Sequence, residues 1–188
     1  MKRIILLIIF LSHLTFLYSS DNIKFMGIDV NGDFDTFKKE LIIKGFIYSN
    51  SYKSAHKFIG ELANEIVELT VLASPITNVV CKVIVSFSKK SNWKSLKKDY
   101  FAKKFLYKSK YALDSEYEFF STPYEEGDGY EMRAVHLDKC NYLSVFLVQG
   151  GGITLSISNS AQIKVAYENS ENLKNAQSEL KETALDDI

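Results

Sequence analysis

The sequence of 188 residues has few of the side chains that build compact catalytic or metal sites: two cysteines, three histidines and one tryptophan. The C-x-x-C and H-x-x-x-H spacings of metal sites do not occur. No serine lies in a G-x-S-x-G motif, and the glycines at 150–152 lack the Lys-Ser/Thr pair of a phosphate loop. The sequence therefore indicates no metal, no cofactor and no local catalytic motif.

An excess of charge of one sign is also missing. Lysine and arginine number 23, as do aspartate and glutamate, so the formal net charge is zero. Proteins that bind nucleic acid usually carry a basic excess, so no nucleic-acid partner is expected. After residue 20 no apolar run is long enough to cross a bilayer, and no membrane span is expected in the mature chain.

Residues 1–20 have the pattern of a secretory signal peptide. Lys2 and Arg3 precede the apolar run 4–17, and the small residues Ser19 and Ser20 follow it. Cleavage there leaves a charge of 21 − 23 = −2. The pattern predicts an exported protein, periplasmic or secreted, and an uncleaved N-terminal anchor is the alternative.

The clearest periodicity lies between Tyr130 and Glu168. Residues 153–157 and 163–167 alternate apolar and polar side chains, as strands with one buried face do. The glycines at 150–152 and Asn159-Ser160 have the composition of hairpin turns. We predict an antiparallel meander here.

Two helices are predicted upstream of strands. Asp33 is placed to cap the first, residues 34–44, and Gly45 to end it. Ser91 or Asn92 can cap the second, which reaches about Lys110. Their apolar residues recur at helical spacing.

The predicted fold is α+β, with antiparallel sheet and two main helices. Strands are expected at 67–71 and 79–87, so that helix-then-strands occurs twice, at about 34–87 and 93–168. Both halves belong to one domain, residues 21–168. Residues 169–188 are predicted to form a polar tail or a frayed helix.

Cys81 and Cys140 are the two cysteines of the predicted mature chain. An oxidising compartment permits a disulfide if their Cα atoms lie within about 7 Å of one another. Two buried free cysteines are the alternative, since free cysteine is one of the most buried residue types.

The candidate binding residues are aromatic and basic. Nine lysines and one acid occur in 89–110, and seven acids and no base follow in 114–131. Helical spacing predicts that three of these lysines lie opposite the apolar stripe. That face is either simply solvated or an electrostatic patch for an acidic partner, an anionic polysaccharide or lipid head groups. The candidate residues are Lys97, Lys104, Lys108, Tyr117, Phe119, Tyr124 and Tyr130.

The acidic loop 125–129 is a solvated turn or, alternatively, a calcium site, although its spacing does not match the twelve-residue calcium loop.

Several short stretches resemble a known group of sequences. They are Gly27-Ile28, Phe37 with Leu41, Gly45-Phe46, residues 80–83, Trp93 with Leu96 and Tyr100, Lys110-Tyr111, residues 126–131, 139–142 and 165–168. The chain resembles an uncharacterised family of small exported proteins of Bacteroides-type bacteria, over nearly all of its mature length. The resemblance implies export and a shared fold but no catalytic position. A looser similarity of architecture is to β-lactamase-inhibitor-like modules, which bind other proteins.

The expected function is therefore that of an exported, non-catalytic protein of the bacterial envelope. It would bind a protein or glycan in the envelope or outside the cell, through a sheet face or the aromatic loop at 117–130. A periplasmic hydrolase using dispersed carboxylates and a structural or assembly factor of the envelope are the alternatives.

Overall fold

The computed structural model describes residues 23–186, and the predicted signal peptide, residues 1–20, lies outside this range. The described chain contains one large antiparallel sheet, one two-stranded sheet and four helices. The strands are β1 (Lys24–Phe25), β2 (Ile28–Asp29), β3 (Ile47–Tyr52), β4 (Ala55–Leu62), β5 (Glu65–Ala73), β6 (Val80–Ser86), β7 (Ala112–Phe120), β8 (Cys140–Val148), β9 (Gly151–Ile157) and β10 (Ile163–Asn169). The helices are α1 (Phe34–Ile43), α2 (Trp93–Lys108), α3 (Glu131–His136) and α4 (Ser170–Asp186). The predicted α+β class is confirmed.

The large sheet has the strand order β3-β4-β5-β6-β10-β9-β8-β7. Each half is a helix followed by a four-stranded meander, with α1 before β3 to β6 and α2 before β7 to β10. The halves join edge to edge through the antiparallel pair β6 and β10, where Val85 lies opposite Val165. The predicted repetition of helix-then-strands is thus a pseudo-two-fold arrangement about an axis between these two strands.

The two faces of the sheet differ in burial. Every second residue of β9 and β10 is buried, Ile153, Leu155 and Val165 among them, and the residues between them are only partly buried. The buried face contacts the helices and is called the inner face below; the other is the outer face. Burial of one face only is the pattern that period-two strands produce in an antiparallel sheet.

Helix α1 begins and ends at the residues that its sequence favours. The Asp33 side chain accepts a hydrogen bond from the Thr36 amide at 2.9 Å. Phe34, Phe37 and Leu41 are buried at the i, i+3 and i+7 positions. The helix ends at Ile43, one residue before the predicted limit.

Helix α2 is capped by Asn92, whose side chain accepts from the Ser95 amide at 2.9 Å. Trp93, Leu96 and Tyr100 are buried. The Tyr100 hydroxyl lies 2.7 Å from that of Ser144 on β8, and this buried hydrogen bond fixes the helix on the inner face.

Helix α3 corrects one prediction, because the antiparallel meander does not begin at Tyr130. Residues 131–136 are helical, with Ala134 and Val135 buried, and β8 begins at Cys140. Two buried residues in a single short turn give too little periodicity to be read from sequence.

Helix α4 settles the alternatives for the C-terminal segment in favour of a helix. It packs against β6, β9 and β10, and the side-chain amide of Asn172 donates to the Val80 carbonyl at 2.9 Å. Ala176 is buried. None of the four helices in residues 23–186 combines the length and apolar character needed to cross a membrane.

The two predicted hairpin turns in the second meander are present, with one difference in detail. Gly150 has a φ of 77°, as expected of a glycine in a turn. In the next turn the positive φ of 58° belongs to Ala161 rather than Asn159. Ala161 is buried, and its amide donates to the Ser158 carbonyl at 2.9 Å.

Candidate functional site

The outer face of the sheet carries two neighbouring exposed aromatic side chains on its edge strand β7. On β7, Tyr117 and Phe119 are 53% and 51% exposed. Tyr117 lies opposite Leu143 and Phe119 opposite Asn141. Because strand residues alternate between faces, Glu116 on the same strand points towards α2. Tyr117, Phe119 and Leu143 are called the aromatic patch below.

The aromatic patch borders a shallow hollow of about 370 Å³. Asn141 on β8 and Ser156 on β9 add an amide and a hydroxyl to its lining. Ser156 pairs with Leu143, so the hollow extends across three neighbouring strands. It offers apolar surface with a few hydrogen-bonding groups, and no paired catalytic side chains line it.

The centre of the outer face is less aromatic. Thr70, Ile84, Ala166, Thr154 and Val145 follow one another across five strands, as the strand register requires. All five are partly buried, so the face is accessible across its width.

Salt bridges neutralise charges beside this row. Lys57 pairs with Glu68 at 3.1 Å, and Lys82 pairs with Glu168. Between these two ion pairs, the outer face presents small and apolar side chains.

The other two predicted aromatic residues do not join the patch. Tyr124 is partly buried and Tyr130 is 58% exposed, both in the segment between β7 and α3. Neither lines the hollow. The four aromatic candidates thus separate into the patch on the sheet and two residues on the loop.

The loop carboxylates bond to the protein itself. Asp128 accepts from the amides of Glu125 and Tyr130 at 3.0 and 2.7 Å, and Glu131 accepts from the Gly127 amide at 2.9 Å. Glu126 binds Lys97. These contacts order the acidic loop, and no group of three metal ligands occurs within residues 23–186.

The lysines of α2 are arranged differently from the prediction. Lys104 does not lie on the wet face: it is buried, because it follows Tyr100 by four residues and shares its side of the helix. Lys97 is partly exposed, and Lys108 is exposed. The predicted basic face is therefore divided between buried and exposed positions.

The acids that follow α2 in sequence pair with its lysines. Lys104 binds Glu116 at 2.6 Å and also Glu118, both on β7. Burial opposes the charge of Lys104, but the hydrogen bonds to Glu116 and Glu118 outweigh it and raise the lysine pKa. The same hydrogen bond lowers the pKa of Glu116. Lys97 similarly lowers the pKa of Glu126.

A second charge cluster lies between the two halves. Lys103 donates to Glu65 and Asp99, both at 2.7 Å, and its nitrogen lies 4.0 Å from the centre of the Phe87 ring. These residues border a largely apolar cavity of about 350 Å³. The two carboxylates converge on one ammonium group, which makes them a salt-bridged structural cluster rather than a free acid pair.

The disulfide that the sequence permitted does not form. Both cysteines are free, Cys81 in β6 and Cys140 at the first residue of β8. Two strands separate β6 from β8, so three inter-strand spacings of about 4.8 Å already place the cysteines roughly 14 Å apart. Burial raises the pKa of Cys140 to about 12, which disfavours the thiolate form.

His136 belongs to α3 rather than to a strand with Cys140. Its Nδ1 lies 2.9 Å from the carbonyl oxygen of Asn159. The structure thus assigns His136 a contact with the β9–β10 turn.

The sequence identified Tyr117 and Phe119 but missed Asn141, Leu143 and Ser156. The alternation in residues 142–148 and 153–157 indicates which side chains share a face. The predicted hairpin at 150–152 places β8 beside β9, but the sequence does not indicate that β7 lies on the other side of β8, and all three strands line the hollow. Comparisons with protein-family models, curated proteins and solved structures give no match.

Proposed function

We propose that this chain is an exported, non-catalytic binding protein that holds a protein partner on the outer face of its sheet, at the aromatic patch. One observation carries the proposal: Tyr117 and Phe119 are more than half exposed on the outer face of the sheet. Export rests on the signal-peptide pattern of residues 1–20.

The chemistry of the patch suits a protein surface. Exposed apolar patches on soluble proteins mark interaction sites, and tyrosine and other aromatic residues are enriched among the side chains that dominate binding energy. Tyr117 combines a large apolar ring with a hydroxyl, while Asn141 and Ser156 supply hydrogen-bonding groups at the rim. A flat sheet face with aromatic anchors can accept the side chains of a partner without closing over them.

The hydrolase alternative lacks an observation in its favour. The carboxylates that converge, Glu65 with Asp99 and Glu116 with Glu118, are in each case both ion-paired with one buried lysine that lies between them. A glycosidase pair needs one protonated acid and one free carboxylate on opposite sides of a substrate. Neither pair has that arrangement.

The test is site-specific photo-crosslinking in cells that produce the protein. A benzophenone side chain placed at Phe119 is expected to capture one protein of defined mass. The matched control is the same group at Ile43, which is 83% exposed and belongs to helix α1 rather than to the sheet. Crosslinking from Phe119 but not from Ile43 supports the proposal.

The double variant Tyr117→Ser/Phe119→Ser should remove the partner in an affinity pull-down from envelope and culture-fluid extracts. We expect a loss of at least about tenfold, since aromatic anchors often contribute more than 1 kcal/mol each. The single variant Ile43→Ser should retain the partner. Equal retention by both variants, or capture of a polysaccharide instead of a protein, contradicts the proposal.

A further inference from the structure

The lysines of α2 and its flanks fall into two groups. Four of the nine, Lys90, Lys97, Lys103 and Lys104, pair with carboxylates. The remaining five make no ion pair with any residue of the range 23–186. They are Lys89, Lys94, Lys98, Lys108 and Lys110. A molecule with zero formal net charge therefore keeps a local cationic excess on this one helix.

Three of the unpaired lysines share a line with two exposed aromatic residues. Lys94, Lys98, Phe101, Phe105 and Lys108 follow one another at spacings of four, three, four and three residues. Such spacing places side chains along one stripe of a helix. All five are exposed, and Phe105 is 74% exposed. These five residues are called the α2 stripe below.

Most of the α2 stripe points away from the sheet, and only the Phe101 ring lies beside it, 6.4 Å from that of Tyr142 on β8. The opposite side of the helix holds Leu96 and Tyr100, which are buried against the inner face. Core packing therefore gives no reason for phenylalanine at position 105. At a solvent-exposed helix position, glutamine or glutamate would make the helix as stable as phenylalanine does.

We propose that the α2 stripe docks on an anionic lipid surface. Phenylalanine side chains enter the boundary between head groups and acyl chains, while lysines keep their charges at the level of the lipid phosphates. Phe101, Phe105 and Lys108 border an open hollow of about 470 Å³, into which a head group can fit. Polybasic surfaces of this kind attract anionic leaflets.

The lipid surface fits the stripe better than an acidic protein does. The hollow beside the stripe is open and bordered by α2 and its C-cap alone, so it offers a protein partner no enclosed groove to fill. A membrane needs none, because its surface adapts to protruding rings and diffuse charge. An acidic protein would need its own concave apolar surface to cover Phe105.

The test is flotation of the full chain, in the form that the producing cell releases, with vesicles of phosphatidylglycerol or of phosphatidylcholine. Binding is expected with phosphatidylglycerol and should weaken as salt rises from about 50 to about 500 mM, because salt screens surface charge. The variant Lys94→Gln/Lys98→Gln/Lys108→Gln should bind roughly 100-fold more weakly, given about fivefold for each lysine at an anionic surface.

The matched control removes three exposed lysines elsewhere, as Lys44→Gln/Lys139→Gln/Lys174→Gln. It has the same net charge as the stripe variant and should keep most of the binding. Equal loss in the two triple variants means that only net charge matters, and it overturns the proposal. Equal binding to both lipids overturns it as well, since a retained apolar N-terminus alone would give that result.

A second measurement tests insertion of residue 105 directly. The variant Phe105→Trp should show a blue shift of emission, and quenching by brominated acyl chains, only with phosphatidylglycerol vesicles. Trp93, the native tryptophan, is buried and serves as the background in the parent protein. Binding without quenching at residue 105 contradicts docking through the stripe.

Discussion

Gly151 is held where no other residue fits. It pairs with Asn169 at the edge between β9 and β10. A Cβ atom at this position would lie 1.9 Å from the carbonyl oxygen of Glu168, a backbone atom that cannot rotate away. Gly152 is different, because the nearest atom to a Cβ there lies 3.6 Å away, an ordinary van der Waals contact. Of these two adjacent glycines, therefore, only Gly151 excludes a side chain for steric reasons.

The substitution Gly151→Ala should destabilise the protein by about 3 kcal/mol, since an overlap with backbone forces two strands apart. Gly152→Ala, the matched control, should change the free energy of unfolding by less than about 1 kcal/mol. Urea denaturation followed by circular dichroism measures both. Similar values for the two variants would show that the close approach at Gly151 relaxes without cost.

Residue-scale packing of this kind is only partly visible in a sequence. The glycines at 150–152 predict a turn, and Gly150 confirms it. The close approach of Gly151 to Glu168 depends on the exact register of β9 against β10, which the predicted meander does not specify. Lys104 is a different case, because its helical spacing already places it on the buried side of α2. The sequence does not place the strand that carries its partners, Glu116 and Glu118, beside it.

At the scale of elements, one side chain of α4 joins this helix to the connection between β5 and β6. Glu179 accepts hydrogen bonds from the amides of Ile76 and Thr77 at 2.8 and 3.1 Å, and from the Thr77 hydroxyl at 2.6 Å. These bonds lower the pKa of Glu179 and join the helix to the β5–β6 connection. The carboxylate satisfies amides that no strand partner reaches.

We expect Glu179→Gln to loosen this connection without unfolding the protein. Both amides donate to the same oxygen, Oε2, and the Thr77 hydroxyl donates to Oε1. An amide side chain has one acceptor oxygen and no charge, so it loses the bond from the hydroxyl and holds the two amides more weakly. Hydrogen exchange at Ile76 and Thr77, measured by NMR, should be faster in the variant, with a small decrease in Tm. Glu182→Gln on the same helix is the control and should leave exchange at both amides unchanged; acceleration by both variants would assign the effect to charge.

Element prediction succeeded where a cap and an apolar stripe coincide. Asp33 and Asn92 cap α1 and α2 in the structure, as their positions before helical patterns predict. It failed for α3, which has one turn and no side-chain cap. The C-terminal segment was ambiguous because α4 buries little apolar surface, and its stability comes from polar contacts such as that of Asn172.

At the scale of the whole molecule, the two proposed surfaces lie on opposite sides. The helix layer covers the inner face through contacts such as Tyr100 with Ser144, so most of the α2 stripe points away from the sheet. The aromatic patch lies on the outer face. A molecule docked on lipid through α2 therefore presents Tyr117 and Phe119 to its surroundings, and the two functions can be lost separately by mutation.

The repetition of helix-then-strands was predictable because each half carries its own helix and its own alternating strands. The junction was not. Val85 opposite Val165 joins two strands 80 positions apart, and both are apolar runs that could pair with many others. Long-range pairing is decided by the fit of whole halves rather than by local pattern.

A cluster of buried tyrosines makes the stability of the whole molecule sensitive to alkaline pH. Burial raises the pKa of Tyr100 and of Tyr107 to about 12 each, and it also raises that of Tyr167. The unfolded value is about 10, so the folded state holds these protons more tightly. Their contribution to stability is complete below about pH 10 and is lost as the pH rises from there towards 12.

The urea midpoint should therefore be nearly constant up to about pH 9 and fall steeply towards about pH 12. Tyr107 alone accounts for up to about 3 kcal/mol of this loss, at about 1.4 kcal/mol per pKa unit. Tyr107→Phe, which keeps the ring and removes the ionising hydroxyl, should lose less of its own stability over the same range. Tyrosinate absorbance gives an independent measure, because the buried residues should ionise only together with unfolding. A midpoint that does not change across this range would mean that Tyr100, Tyr107 and Tyr167 ionise within the folded protein, and that α2 opens without loss of the sheet.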